Sequence, residues 1–67
     1  MTEVQRMILS RVLSQELGKQ ERWMRKEKEQ FGTDGSDRKS LKKEIENFME
    51  EEGIEFREDF YLEGVER

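Results

Sequence analysis

The side chains in this sequence able to do chemistry are carboxylates, amines, guanidiniums and a few hydroxyls. There are 17 acidic and 13 basic residues, and no histidine or cysteine at all. Without imidazole or thiolate, the usual zinc constellations, thiol nucleophiles and histidine acid–base pairs are excluded. Carboxylates act as general acids or bases only where burial or a charged neighbour moves their pKa, and a solvated helix face does neither. The serines lack a histidine partner and stand in no serine–lysine motif. Asp34 and Asp37 with their neighbouring glycines resemble a calcium loop only in composition; the alternating acidic positions, central glycine and closing glutamate do not line up. No glycine-rich phosphate loop ending in lysine is present. These residues predict a non-enzymatic protein, with no cofactor and no metal.

What remains is contact chemistry. Trp23 and Met24, beside Leu17, Gln20 and Glu27, have the make-up of a protein-contact patch, since tryptophan concentrates binding energy and methionine adapts to varied partners. Phe56, Glu58, Asp59 and Tyr61 extend the candidate protein-binding set into an acidic, aromatic C-terminal segment. The plainer account of an apolar stripe is that it is core. A second set is basic. Arg11, Lys19, Arg22 and Lys26 fall within an arc of about 80° on one helix face, with Trp23 available for stacking, as a phosphate-tracking surface would need. Gln15 and Glu29 interrupt that stripe, and a solvated face is its plainer reading. Arg38, Lys39, Lys42 and Lys43 open the second helix. With a break at Gly18 and a hairpin over Ile54–Leu62, they would occupy the recognition helix of a winged helix-turn-helix. A five-residue loop and the run Glu50–Glu52 argue against that arrangement. The eight acidic residues after Asn47 could also imitate nucleic acid, a reading that rests on charge alone.

The elements that position these residues are mostly helical. Residues 2–31 contain no proline and a single glycine, Gly18. Thr2 is a suitable N-cap and Glu3 suits the positive end of the dipole. At about 100° per residue, Leu9, Val12, Leu13, Leu17, Trp23, Met24 and Phe31 share an arc of about 140°. Leu17, Met24 and Phe31 are seven apart, a short coiled-coil hint. Val4 and Ile8 lie on the flank and, with Met7, make the N-terminal segment apolar nearly all round. Gly18 is either a bend or a point of close approach, in a helix read as continuous. Gly32–Ser36 reads as a loop. Residues 37–52 read as a shorter antiparallel helix with Leu41, Ile45, Phe48 and Met49 as its stripe. Its basic start and acidic end oppose the helix dipole, which suggests an outside demand such as an anion or the acidic tail. Glu21–Arg25 and Lys42–Glu46 have the spacing of helix ion pairs. Gly53 reads as the stop, followed by Ile54 as its hydrophobic contact. Residues 54–63 alternate charge with Ile54 and Phe56, predicting an extended arm or a small β-hairpin.

The expected fold is therefore mainly α, a helical hairpin with a C-terminal arm or small β-hairpin, in one domain spanning residues 1–67. Only 31% of residues are hydrophobic and 45% are charged. A chain this short buries too little to be robust alone. Lacking disulfides and metal, it is expected to complete its core as a homodimer, with Leu9, Leu13, Leu17, Met24, Leu41, Ile45 and Phe48 inside a four-helix bundle. Trp23, at the edge of the face, is left for another protein. Charge is polarised: residues 1–31 carry seven basic and five acidic side chains, and residues 48–67 two basic and eight acidic. Such a layout favours steering and head-to-tail contacts. No apolar run is long enough for a membrane span. The expectation is a cytoplasmic adaptor or regulator that binds itself and another protein, with nucleic acid as the alternative partner and no membrane.

Overall fold

The computed structural model describes residues 1–32 and 36–66. Among them are three helices and no strand: α1 (Glu3–Phe31), α2 (Ser36–Glu52) and α3 (Glu58–Glu66). The expected loop at Gly32–Ser36 lies largely outside the described residues.

Thr2 and Gln5 start α1 reciprocally. The Thr2 hydroxyl accepts from the Gln5 amide at 3.1 Å, and the Gln5 side chain accepts from the Thr2 amide at 2.8 Å. Two donors that the first helical turn leaves unpaired are thereby satisfied. Gly32 ends the helix in the left-handed region at φ 69°, its amide donating to Lys28 O. Between these caps α1 runs without a break through Gly18. A helix of this length spans about 43 Å at 1.5 Å per residue, and the molecule measures 42 × 21 × 12 Å. Its long axis is α1. Gly53 ends α2 at φ 66°. The amide of Ile54 reaches back to Met49 O at 2.8 Å, and the Ile54 side chain is buried, the bond and contact of a Schellman stop.

The arm is where the sequence expectation fails. Residues 54–57 have no regular structure and 58–66 form α3 rather than a strand, so neither the hairpin nor a wing exists among the described residues. Glu58 and Asp59 occupy the first turn, where carboxylates favour the dipole. Nine residues are too few to hold a helix by propensity; docking on α1 does it. Gly18 and Gly64 let the two backbones touch. A Cβ on Gly18 would overlap the Tyr61 carbonyl and lie 2.9 Å from Val65 N, and one on Gly64 would overlap the Gln15 carbonyl. One turn and two turns before Gly18, the buried hydroxyls of Ser14 and Ser10 hold the incoming strand of chain. Ser14 Oγ accepts from the Arg57 amide at 3.0 Å, and Ser10 Oγ donates to the Glu55 carbonyl.

The face that α1 buries is accordingly rotated from the one its large side chains mark. Ser10, Ser14, Leu17, Gly18 and Gln20 are buried, whereas Val12 is 51% exposed and Phe31 73%. The buried core is Leu17, Met49 and Ile54, with Leu9, Leu13, Ile45 and Tyr61 packed partly around it. Met24 is half-buried. Leu41 and Phe48, expected inside, are 42% and 41% exposed in the single chain. Both α2 and α3 pack on α1, and among the described residues their backbones do not approach each other. A radius of gyration of 12.7 Å exceeds the roughly 11 Å of a compact chain this long. With the α2 and α3 backbones apart on α1, this is an open arrangement of helices rather than a closed core.

Candidate protein-contact surfaces

The structure divides the candidate residues between two sides of the α1/α2 layer. On one side lies Trp23, 43% exposed. Its ring is framed by three cations: Lys26 Nζ at 5.3 Å, Arg38 Cζ at 5.5 Å and Arg22 Cζ at 5.8 Å from the centroid. Arg38 is fixed there by Glu27 at 2.7 Å and by the Gln20 side-chain oxygen at 3.1 Å, while the Gln20 amide donates to Glu16 at 2.7 Å. The guanidinium thus bridges α2 to α1 and shelters part of the indole. Met24, the neighbour of Trp23, turns partly inward.

The residues of the basic stripe keep one face of the unbroken α1 but make different contacts along it. Arg11 stacks on Phe60 of α3 at 5.5 Å, with Arg57 on the same ring at 5.6 Å. Lys19 borders α3 beside Gly64. Arg22 and Lys26 meet on the Trp23 ring. The basic start of α2 is also divided. Arg38 and Lys42 turn back to Glu27 and Glu21 of α1, while Lys39 and Lys43 remain exposed. The demand that sets cations at the wrong end of the α2 dipole is thus the acidic flank of α1. Lys42 bridges to Glu21 at 2.9 Å rather than using the Glu46 spacing seen in sequence.

That bond, opposed by partial burial and aided by the charges of Glu21, Tyr61 and Glu46, holds the Lys42 pKa above the ordinary lysine value. A raised folded-state pKa means stabilisation that is complete below the unfolded lysine value and lost as pH rises through the folded one. The stability difference between the native chain and Lys42→Met should therefore be constant from neutral pH to about pH 10 and shrink at more alkaline pH. Chemical melts across that range measure it, and a difference that grew with alkalinity would contradict the assignment.

On the other side, α2 and α3 stand apart over α1 and leave a groove of about 460 Å³. Its floor is Leu17, Met49, Ile54, Phe56 and Tyr61, and its rim is Lys42, Glu46 and Glu50. Phe56 and Tyr61 meet with ring centroids 5.5 Å apart, tilted by 57°, and Phe56 is 49% exposed. With Lys42 bound to Glu21, the rim is acidic in balance. Glu58 and Asp59 stand exposed at the start of α3, Asp59 bridged to Arg57 at 3.4 Å. The structure therefore brings Phe56 and Tyr61 together and separates them from Trp23. Met49 and Ile54, which the sequence marks only as helix stripe and helix stop, form part of the groove floor; the bond from the Ile54 amide to Met49 O across Gly53 is what brings them together.

Among the described residues no group of three or more carboxylates is placed to hold a metal ion, and no helix is long and apolar enough to cross a membrane. No protein family matches the chain, and neither curated proteins nor solved structures show significant similarity to it.

Proposed function

We propose that this chain is a small non-enzymatic adaptor or regulatory protein of the cytoplasm that binds another protein through its helical surface and acidic C-terminal segment. The observation that carries this reading is the groove between α2 and α3: an apolar, partly aromatic floor of helix-receiving size with an acidic rim. An anchor side chain would fill the space over Leu17 and Tyr61, and basic flanks would meet Glu46 and Glu50 at the rim, with Glu58 and Asp59 of the acidic C-terminal segment acting from outside the groove. Those carboxylates would contribute more to encounter rate and partner choice than to affinity. Trp23 and its cations form a separate contact surface on the opposite side.

A second reading rests on Arg22, Lys26 and Arg38 around Trp23, a combination that suits a nucleic-acid backbone with a base stacked nearby. Its winged form has no counterpart here, because α1 is unbroken and 58–66 is helical.

Affinity capture from an extract of the source cell, with and without nuclease, separates the two. The adaptor reading expects a discrete protein retained in both samples and lost, at least tenfold, with Phe56→Ala. Phe56 is half-exposed, so its removal should leave helix content unchanged. Recovery of nucleic acid, with affinity falling steeply as salt rises and on neutralising Arg22 and Lys26, would replace the adaptor with the second reading.

A further inference from the structure

Among the described residues nothing covers the side of the α1/α2 layer away from α3. Its identity as one face follows from the contacts between the helices. The Trp23–Arg38 stack joins α1 to α2 on this side, while the Lys42–Glu21 bridge borders the groove on the other. At about 100° per residue, Val12 lies within a narrow arc of Trp23 on α1, with Ile8 beside it. Leu41 and Phe48 share the corresponding arc of α2. Their exposures are 56% for Ile8, 51% for Val12, 43% for Trp23, 42% for Leu41 and 41% for Phe48. Partly buried Leu9 and Ile45 lie just beneath. With three buried apolar residues among those described, the chain has left its better hydrophobic face outside.

We propose that a second copy of this chain covers that face, in a two-fold dimer that sets α1 of each chain on α2 of the other. This rests on the protein-binding reading above and names the occupant of the Trp23 side.

The charges beside the apolar strip select this pairing. On α1 they are basic, Lys19 and Lys26; on α2 they are acidic, Asp37 and Glu44, all four exposed. Stacking like on like would oppose lysine to lysine and glutamate to glutamate across the interface. Stacking α1 on the partner's α2, with the two-fold axis parallel to the helices, opposes unlike charges instead. The register is already set within each chain by Arg38–Glu27 and Lys42–Glu21. It brings Trp23 level with the partner's Leu41, Lys19 level with the partner's Glu44 and Lys26 level with the partner's Asp37. The apolar residues then form the centre of a four-helix bundle, and the ion pairs flank it. α3 and the groove stay on the outside, free for a different protein.

Light scattering on the purified chain from about 1 to 100 μM should give twice the 8.2 kDa chain mass at the upper end. Emission of Trp23, the single tryptophan, should shift to the blue as the mass rises. A mass of one chain throughout overturns the proposal, whether or not a partner is captured at the groove; capture failing with the dimer intact overturns only the adaptor reading. Because the chain has no cysteine, the pairing is read by cross-linking. Separately purified Lys19→Cys and Glu44→Cys chains, mixed and treated with a short bismaleimide, should give covalent dimer at least tenfold faster than either alone. Fastest cross-linking in Glu44→Cys by itself would mean α2 on α2 and would overturn the pairing.

Discussion

Gly18→Ala is expected to destabilise the chain by about 2 kcal/mol or more, although the same change in an exposed helix interior stabilises by about 1 kcal/mol. The sign is decided by α3. The added methyl would overlap the Tyr61 carbonyl and crowd Val65 N, both backbone atoms that no side-chain rotation can move. The helices must then part along their whole contact, and overpacking of this kind costs about 1–3 kcal/mol, more where backbone is involved. For a domain this small, with total stability on the order of 3–10 kcal/mol, that is a large share. Thermal melts followed by circular dichroism report the loss, and proteolysis after Arg57 should accelerate as the Ser14 bond to its amide opens. Gly64→Ala should behave alike, through the Gln15 carbonyl. The double variant should cost less than the two singles together, because the helices need separate only once. A raised melting point for Gly18→Ala would mean that α3 does not dock there.

That close approach also explains which parts of the fold were legible in the sequence. The caps were: Thr2 at one end of α1, and Gly53 followed by Ile54 at the end of α2, act through local backbone chemistry that a few adjacent residues specify. Both long helices carry enough strong helix formers to be read from pattern. α3 was not legible, because its support lies outside it. Ile54 and Phe56 do alternate with charge, but the non-helical stretch ends at Arg57, where the buried Ser14 takes its amide. The surface that receives α3 is Ser10, Ser14 and Gly18, one turn apart and small. A wheel that weighs residues by hydrophobicity counts these as the polar side, so it aims the buried face at Val12 and Trp23 instead. Small residues at four-residue spacing mark where backbones can approach, a signal of volume rather than of polarity. Of the candidate contact residues, Phe56 and Tyr61 meet ring to ring, whereas Trp23 stands apart from them among the cations of α1 and α2, a division that local spacing does not reveal. The basic residues of α2 were divided for a related reason: Arg38 and Lys42 have acidic partners across on α1, at separations that local spacing does not reveal.

Leu17→Ala is expected to cost about 3 kcal/mol and to loosen α2 and α3 together. Leu17 is 2% exposed, packs with Met49 and Ile54, and floors the groove beside Tyr61. Truncating a buried leucine costs 2–5 kcal/mol, the higher values arising where the surroundings cannot collapse into the space. Here the two possible directions of collapse conflict. α3 is held at fixed distance by the Gly18–Gly64 contact, and α2 by its bridges to Glu21 and Glu27 farther along α1. Neither can move into the void without breaking those contacts, so the cavity should persist beside the groove. The backbones of α2 and α3 stand apart among the described residues, and Leu17 lies in the cluster that joins Met49 and Tyr61, so the largest share of their coupling is expected to pass through this side chain. A variant weakening each helix separately, Met49→Ala for α2 and Tyr61→Ala for α3, tests that route. With Leu17 in place their effects on stability should be more than independent, coupled by at least about 0.5 kcal/mol; with Leu17→Ala as the background the coupling should largely vanish. Chemical denaturation of the resulting set measures it. Persistence of the coupling without Leu17 would assign the communication to the connecting segment, where the hydroxyls of Ser10 and Ser14 grip the chain between the two helices.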